Sequence, residues 1–162
     1  MEVKYQILLN NNPRIKSLET DYINKIEPIS IEEIMGLENG FNNGQPFPRA
    51  LRELLYLAGK TCYVLNYIGD SQMDMQIKAR SWLTLYNRSF SINRPYFVID
   101  VYAYKDNFLF VYLDENVADP IVYSADLEMY NEDDPWPQSI GLKLTELINQ
   151  GIEKLKSGYN PF

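Results

Sequence analysis

Apolar positions change period twice along this chain. In Arg49–Ala58, Leu51, Leu54, Leu55 and Ala58 recur at i, i+3, i+4 and i+7, the stripe of a core-facing helix. Pro48 suits its first turn, and Gly59 predicts a left-handed C-cap. Upstream, Ser30-Ile31-Glu32-Glu33 reads as a capping box opening a helix through Ile31, Ile34, Met35 and Glu38, with Ile29 placed to staple onto Ile34. Asp70-Ser71 predicts the start of a further helix carrying Met75, Ala79, Trp82, Leu83 and Tyr86 on one face. Cys62–Ile68 is short, β-branched and aromatic between glycines, and reads as a strand.

The densest apolar stretch is Pro95–Tyr123. Tyr96–Tyr104 and Phe108–Leu113 flank Lys105-Asp106-Asn107, predicting a β-hairpin. A two-residue Asp106-Asn107 loop would set Val101 opposite Tyr112. It would place Phe97, Ile99, Val101 and Ala103 with Phe110 and Tyr112 on a core face. The other face, with Tyr96, Val98, Asp100, Tyr102, Tyr104, Leu109, Val111 and Leu113, would then be amphipathic. A third strand follows at Ile121–Tyr123, antiparallel to the second. Ser139 is expected to cap a last helix carrying Ile140, Leu144, Leu147, Ile148, Ile152 and Leu155, closed by Ser157-Gly158. Residues 1–29 read as a helical lead-in through Val3, Ile7 and Leu8, interrupted at Pro13. The fold class expected is α+β: a twisted, mostly antiparallel sheet with helices packed beside it, N-terminal helices and one C-terminal helix. A length of 162 residues fits a single domain over 1–162.

Composition narrows the chemistry. There is no histidine, so Ser-His-Asp and Cys-His catalysis and histidine-ligated metals are excluded. The single Cys62 cannot form an internal disulfide and reads as a buried small hydrophobe, fitting a reducing compartment. No apolar run is long enough for a membrane span and the start lacks a secretory layout, so cytoplasmic localisation is expected.

The net charge of -7 is concentrated. Between Lys105 and Lys143 lie nine acids and no base, whereas the rest of the chain holds thirteen acids against fifteen bases. Such a region favours a basic protein partner and disfavours direct nucleic-acid binding, unless the charges only keep the domain soluble. The candidate partner-binding residues are Asp114, Glu115, Asp119, Glu128, Glu132, Asp133 and Asp134, with Trp136 as apolar anchor and Tyr102 and Tyr104 as exposed aromatic contacts. Packing offers a second reading: Trp136 as a lid on the sheet, and the tyrosines under a helix. A Ca²⁺ loop at Asn131–Asp134 lacks the spaced oxygens of an EF-hand, and a glycosidase-like pair of Asp100 with Asp114 is the remaining catalytic option.

The order of a Ser30–Glu38 helix, Phe47-Pro48, an Arg49–Ala58 helix, Gly59, then FVIDVY, NFLFVYLDE and PIVY before a terminal amphipathic helix resembles the SUKH superfamily. That superfamily groups fungal regulators of cell-wall assembly with bacterial immunity proteins. The similarity covers roughly Ile29 to Ser157, with Phe47-Pro48 standing where Leu-Pro is usual and Ala58-Gly59 where Asn-Gly is frequent. The resemblance implies a non-catalytic domain without cofactor or metal that neutralises a secreted polymorphic toxin, often a nuclease, by binding it. A cell-wall-type regulatory scaffold, or a carboxylate-based hydrolase, is the alternative.

Overall fold

A computed structural model describes residues 26–85, 91–102, 104, 106–127 and 135–158. The lead-in before Ile26 and Tyr86 of the third helical stripe therefore lie outside the described residues. In chain order come α1 (Ile31–Phe41), α2 (Arg49–Ala58), α3 (Gln72–Leu85), β1 (Tyr96–Tyr102), β2 (Asn107–Tyr112), β3 (Ile121–Asp126), β4 (Gln138–Lys143) and α4 (Leu144–Lys156). The strands form one antiparallel sheet in the order β1-β2-β3-β4, so the fold is α+β with helices at both ends of the described chain.

Local signals set the helices. The capping box at α1 is complete: Glu33 N donates to Ser30 Oγ at 3.1 Å and Ser30 N to Glu33 Oε2 at 2.9 Å. The bond from the Ser30 amide most, and then the Ser30 hydroxyl, hold the Glu33 carboxyl below its ordinary range. The predicted α2 stripe is buried throughout, and Ile29 and Ile34 are both buried in the same cluster. Between α1 and α2, buried Glu38 accepts from Phe47 N at 2.8 Å and pairs with Arg52 at 3.3 Å. This fixes the turn that sets the Phe47 ring against Phe97 of β1, 4.9 Å between centroids.

Gly59 departs from the expected left-handed cap, with φ -71 and ψ -22. Its reason is proximity instead: a Cβ there would lie 2.4 Å from Leu55 O and 2.8 Å from Ile29 Cγ1. At α3, Ser71 caps as expected, accepting from Asp74 N at 3.1 Å.

The hairpin differs from the two-residue-loop expectation. A bulge between Val98 and Asp100 and a longer connection put Asp100 opposite Leu109, Val101 opposite Phe108 and Tyr102 opposite Asn107. Phe97 and Ile99 therefore share a face with Leu109, Val111 and Leu113, whereas Tyr96, Val98 and Val101 share the other with Phe108, Phe110 and Tyr112. Neither face is amphipathic. α1, α2 and α4 cover the first, and Met75 and Ala79 of α3 cover the second. Two-sided burial explains the nearly unbroken apolar runs.

Two further expectations are corrected. Cys62–Ile68 is an irregular buried connection rather than a strand. Ser139 lies in β4, where its Oγ accepts from Gly141 N, and does not open a helix. α4 starts five residues later, with Leu144, Ile148 and Ile152 buried, and it presses so closely on Val64 that a Cβ on Gly151 would meet the Val64 Cβ at 3.0 Å.

Candidate functional site: the hairpin end of the sheet

The last residues of β1 and the first of β2 form one end of the sheet. A transverse row crosses it: Tyr102 is paired with Asn107, and Asn107 with Asp126. Asn107 Nδ2 donates to Asp126 Oδ2 at 3.3 Å, and Trp136 Nε1 donates to Asp126 O at 3.1 Å. Beyond the row, Asp106 turns the chain with φ 43, a conformation that Asp tolerates. Tyr104 stands next to this turn with its side chain fully exposed, at 103%.

The aromatic candidates thus come together at this end, in different roles. Trp136 is half-buried and packs against the second-face cluster, as the lid reading expects. Tyr102 packs on the first face, and its hydroxyl donates to Asp100. Burial first, then the Asp100 charge, pushes the Tyr102 phenol up to about 12. Tyr104 alone of the three projects wholly into solvent.

The acids divide. Asp114, Glu115 and Asp119 lie at the opposite end of the sheet, roughly 20 Å away along the six-residue strand β2. There Arg94 lies over the Tyr112 ring at 3.8 Å, and its Nη2 approaches Asp114 at 2.6 Å and Glu115 at 3.5 Å. The Arg94 hydrogen bond holds the Asp114 carboxyl below its ordinary range. Asp119 caps α4 from the β2–β3 loop, accepting from the Thr145 amide at 3.1 Å and from the Thr145 hydroxyl. These three carboxylates are engaged within the protein, and with Asp126 they make no continuous rim. Glu128, Glu132, Asp133 and Asp134, with the Asn131–Asp134 calcium option, lie outside the described residues. In sequence they follow Asp126, which sits at the hairpin end.

The Asp100–Asp114 pair is not formed. Asp100 sits opposite Leu109, five residues along the strand from Asp114, roughly 16 Å and beyond the reach of paired glycosidase carboxylates. Asp100 is instead 3% exposed and accepts from Asn66 N at 2.7 Å and Val101 N at 3.0 Å, besides Tyr102. Burial outweighs these donors and raises its carboxyl to about 7. Burial likewise pushes the Cys62 thiol up to about 12, as a packed, unreactive cysteine requires. Among the described residues no group of three His, Cys, Asp or Glu is placed to hold a metal, and no helix is long and apolar enough to cross a membrane.

Sequence reasoning missed the polar side chains that close the free edge of β1. Gln76 bonds both main-chain groups of Val98, and Arg80 Nη2 donates to Tyr96 O at 2.7 Å. The Arg80 guanidinium lies 4.2 Å from the Tyr96 ring centroid and 4.5 Å from that of Phe41. Their signal was available: Gln72, Gln76 and Arg80 recur every four residues on one side of α3, beside Met75 and Ala79. No family model, curated protein or solved structure matches the chain.

Proposed function

We propose that this chain is a non-catalytic protein-binding domain of the SUKH type that neutralises a secreted toxin, its hairpin end making the contact inside the producing cell's cytoplasm. The observation that carries the reading is Tyr104. A fully exposed tyrosine held at a hairpin turn offers a large apolar area with a polar tip at small entropic cost, the pattern of an interface anchor. The base-free stretch that passes through this end supplies the complementary part. A nuclease toxin presents a basic surface for phosphate, and carboxylates following Asp126 would steer it into place. The helix–Phe-Pro–helix–Gly order, ahead of an antiparallel sheet and a terminal helix, also supports the family reading.

The test is surface plasmon resonance against the purified product of the neighbouring gene. Tyr104→Ala should weaken binding at least tenfold, mainly through faster dissociation. Reversing Glu132, Asp133 and Asp134 to Lys should slow association at low salt and leave dissociation nearly unchanged. Absence of binding by the unaltered protein would overturn the reading.

A further inference from the structure

The segment that ends α1 and turns toward α2 reads Asn39-Gly40-Phe41-Asn42-Asn43-Gly44 and holds both Asn-Gly pairs of the sequence. An asparagine followed by glycine is chemically weak: the next main-chain nitrogen can attack the side-chain amide, and glycine has no Cβ to obstruct the approach. The structure separates the three asparagines. Asn42 Nδ2 donates to Gln45 O at 3.0 Å and to Pro46 O at 3.1 Å, so its amide is held, and a residue with a side chain follows it. Asn39 lies inside α1, where the Gly40 N–H belongs to the helical i→i−4 ladder. Asn43 stands beyond the Asn42 C-cap, exposed and in the left-handed region with φ 52. Its side chain makes no hydrogen bond among the described residues.

The attacking nitrogen is also easily released. Gly44 N donates to Glu38 O at 3.1 Å, but the same carbonyl accepts from Asn42 N at 2.9 Å. Freeing Gly44 N therefore leaves no carbonyl unpaired, and it does so at a helix end, where fraying is easiest. With φ 76, position 44 requires glycine, so the labile pair is built into the turn.

We propose that Asn43-Gly44 is a site of spontaneous deamidation and backbone rearrangement. Gly44 N, deprotonated by hydroxide, bonds to Asn43 Cγ; the Cγ–Nδ2 bond breaks and ammonia leaves, closing a succinimide ring. Water then opens the ring at either carbonyl. Entry at Cγ gives aspartate, and entry at the main-chain carbon gives isoaspartate. The net change is hydrolysis of one amide, with no redox step. Either product puts a carboxylate beside the C-terminal end of α1, where the helix dipole disfavours negative charge. Isoaspartate also adds a methylene to the main chain of the turn that sets the Phe47 ring against Phe97. The protein thereby carries a slow chemical clock whose product is less stably folded. None of these residues belongs to the hairpin end, so this inference and the toxin reading fail separately.

The test incubates the full chain at mildly alkaline pH and follows each asparagine by peptide mapping with mass spectrometry. Isoaspartate is scored by its resistance to an aspartate-specific protease. In the folded protein Asn43 should convert about tenfold faster than Asn39. In guanidinium chloride, where only local sequence acts, the rates of the two Asn-Gly pairs should converge. The thermal midpoint of the folded sample should fall as conversion proceeds. Asn43→Gln, whose longer side chain does not close the five-membered ring, should hold its midpoint over the same incubation. Conversion of Asn39 as fast as Asn43 in the folded protein, an intact Asn43, or an unchanged midpoint after conversion would each overturn the proposal.

Discussion

The side-chain amide of Gln76 pairs with the main chain of Val98 as a neighbouring strand would: Val98 N donates to Oε1 at 2.9 Å, and Nε2 donates to Val98 O at 2.7 Å. Gln76 is fully buried, so α3 seals the edge of β1 with directional bonds in place of a fifth strand. Gln76→Leu would keep the bulk and strand both Val98 groups. A loss of about 2–6 kcal/mol is expected, from roughly 1–3 kcal/mol for each of the two buried unpaired groups. Urea denaturation measures it, and a loss under 1 kcal/mol would show that water replaces the amide.

Asp100 makes stability depend on pH in an unusual direction. Its folded-state pKa of about 7 lies above the 3.8 of an ordinary aspartate, so the native state holds the proton more tightly than the unfolded chain. The contribution is therefore full below about pH 4 and is lost as pH rises through about 7, on the order of a few kcal/mol. Asp100→Asn keeps an acceptor for the Asn66 amide and offers Nδ2 to the Tyr102 oxygen. That variant should flatten the fall between about pH 4 and 7 in denaturation profiles. The Asp100 prediction fails if the two profiles stay parallel.

Two of the acids at the far end of the sheet, Asp119 and Asp114, should behave differently although their sequence context looks alike. Asp119→Ala removes the cap of α4 and should cost about 1–2 kcal/mol. Asp114→Ala breaks an exposed pair with Arg94 and should cost less than about 1 kcal/mol. Thermal melts of the two variants side by side decide it; equal losses would contradict the distinction.

In the core, Leu54 is 1% exposed within the first-face cluster. Leu54→Ala should cost about 2–5 kcal/mol by the usual sum of lost transfer energy and residual cavity. Chemical denaturation gives the value directly.

Much of the candidate site was legible and part was not, for reasons visible in single residues. The base-free stretch after Lys105 can be read directly, since a run of charge is a local property, whereas Tyr104 reads in sequence as a strand residue, either an exposed contact or packed under a helix, and its exposure follows from β1 ending at Tyr102. That Asp119 caps α4 cannot, because its partner Thr145 lies 26 residues on and meets it only after β3 and β4 are laid down. The same holds for Asp114 and Arg94, 20 residues apart.

The sequence by itself determined the helices α1, α2 and α3, the first three strands and their antiparallel order, because caps, periodicity and short connections act within a few residues. Tertiary structure alone decided the bulge after Val98, the register that follows from it and the burial of both sheet faces. It also decided the fate of Cys62–Ile68, whose apolar run is buried without joining the sheet. The edge it would have paired with is already closed at Val98 by Gln76 and at Tyr96 by Arg80, and Asn66 reaches it through Val101 and the carboxylate of Asp100. Hydrophobicity specifies that such a segment goes inside; which hydrogen-bonding groups remain to meet it depends on every other element already in place.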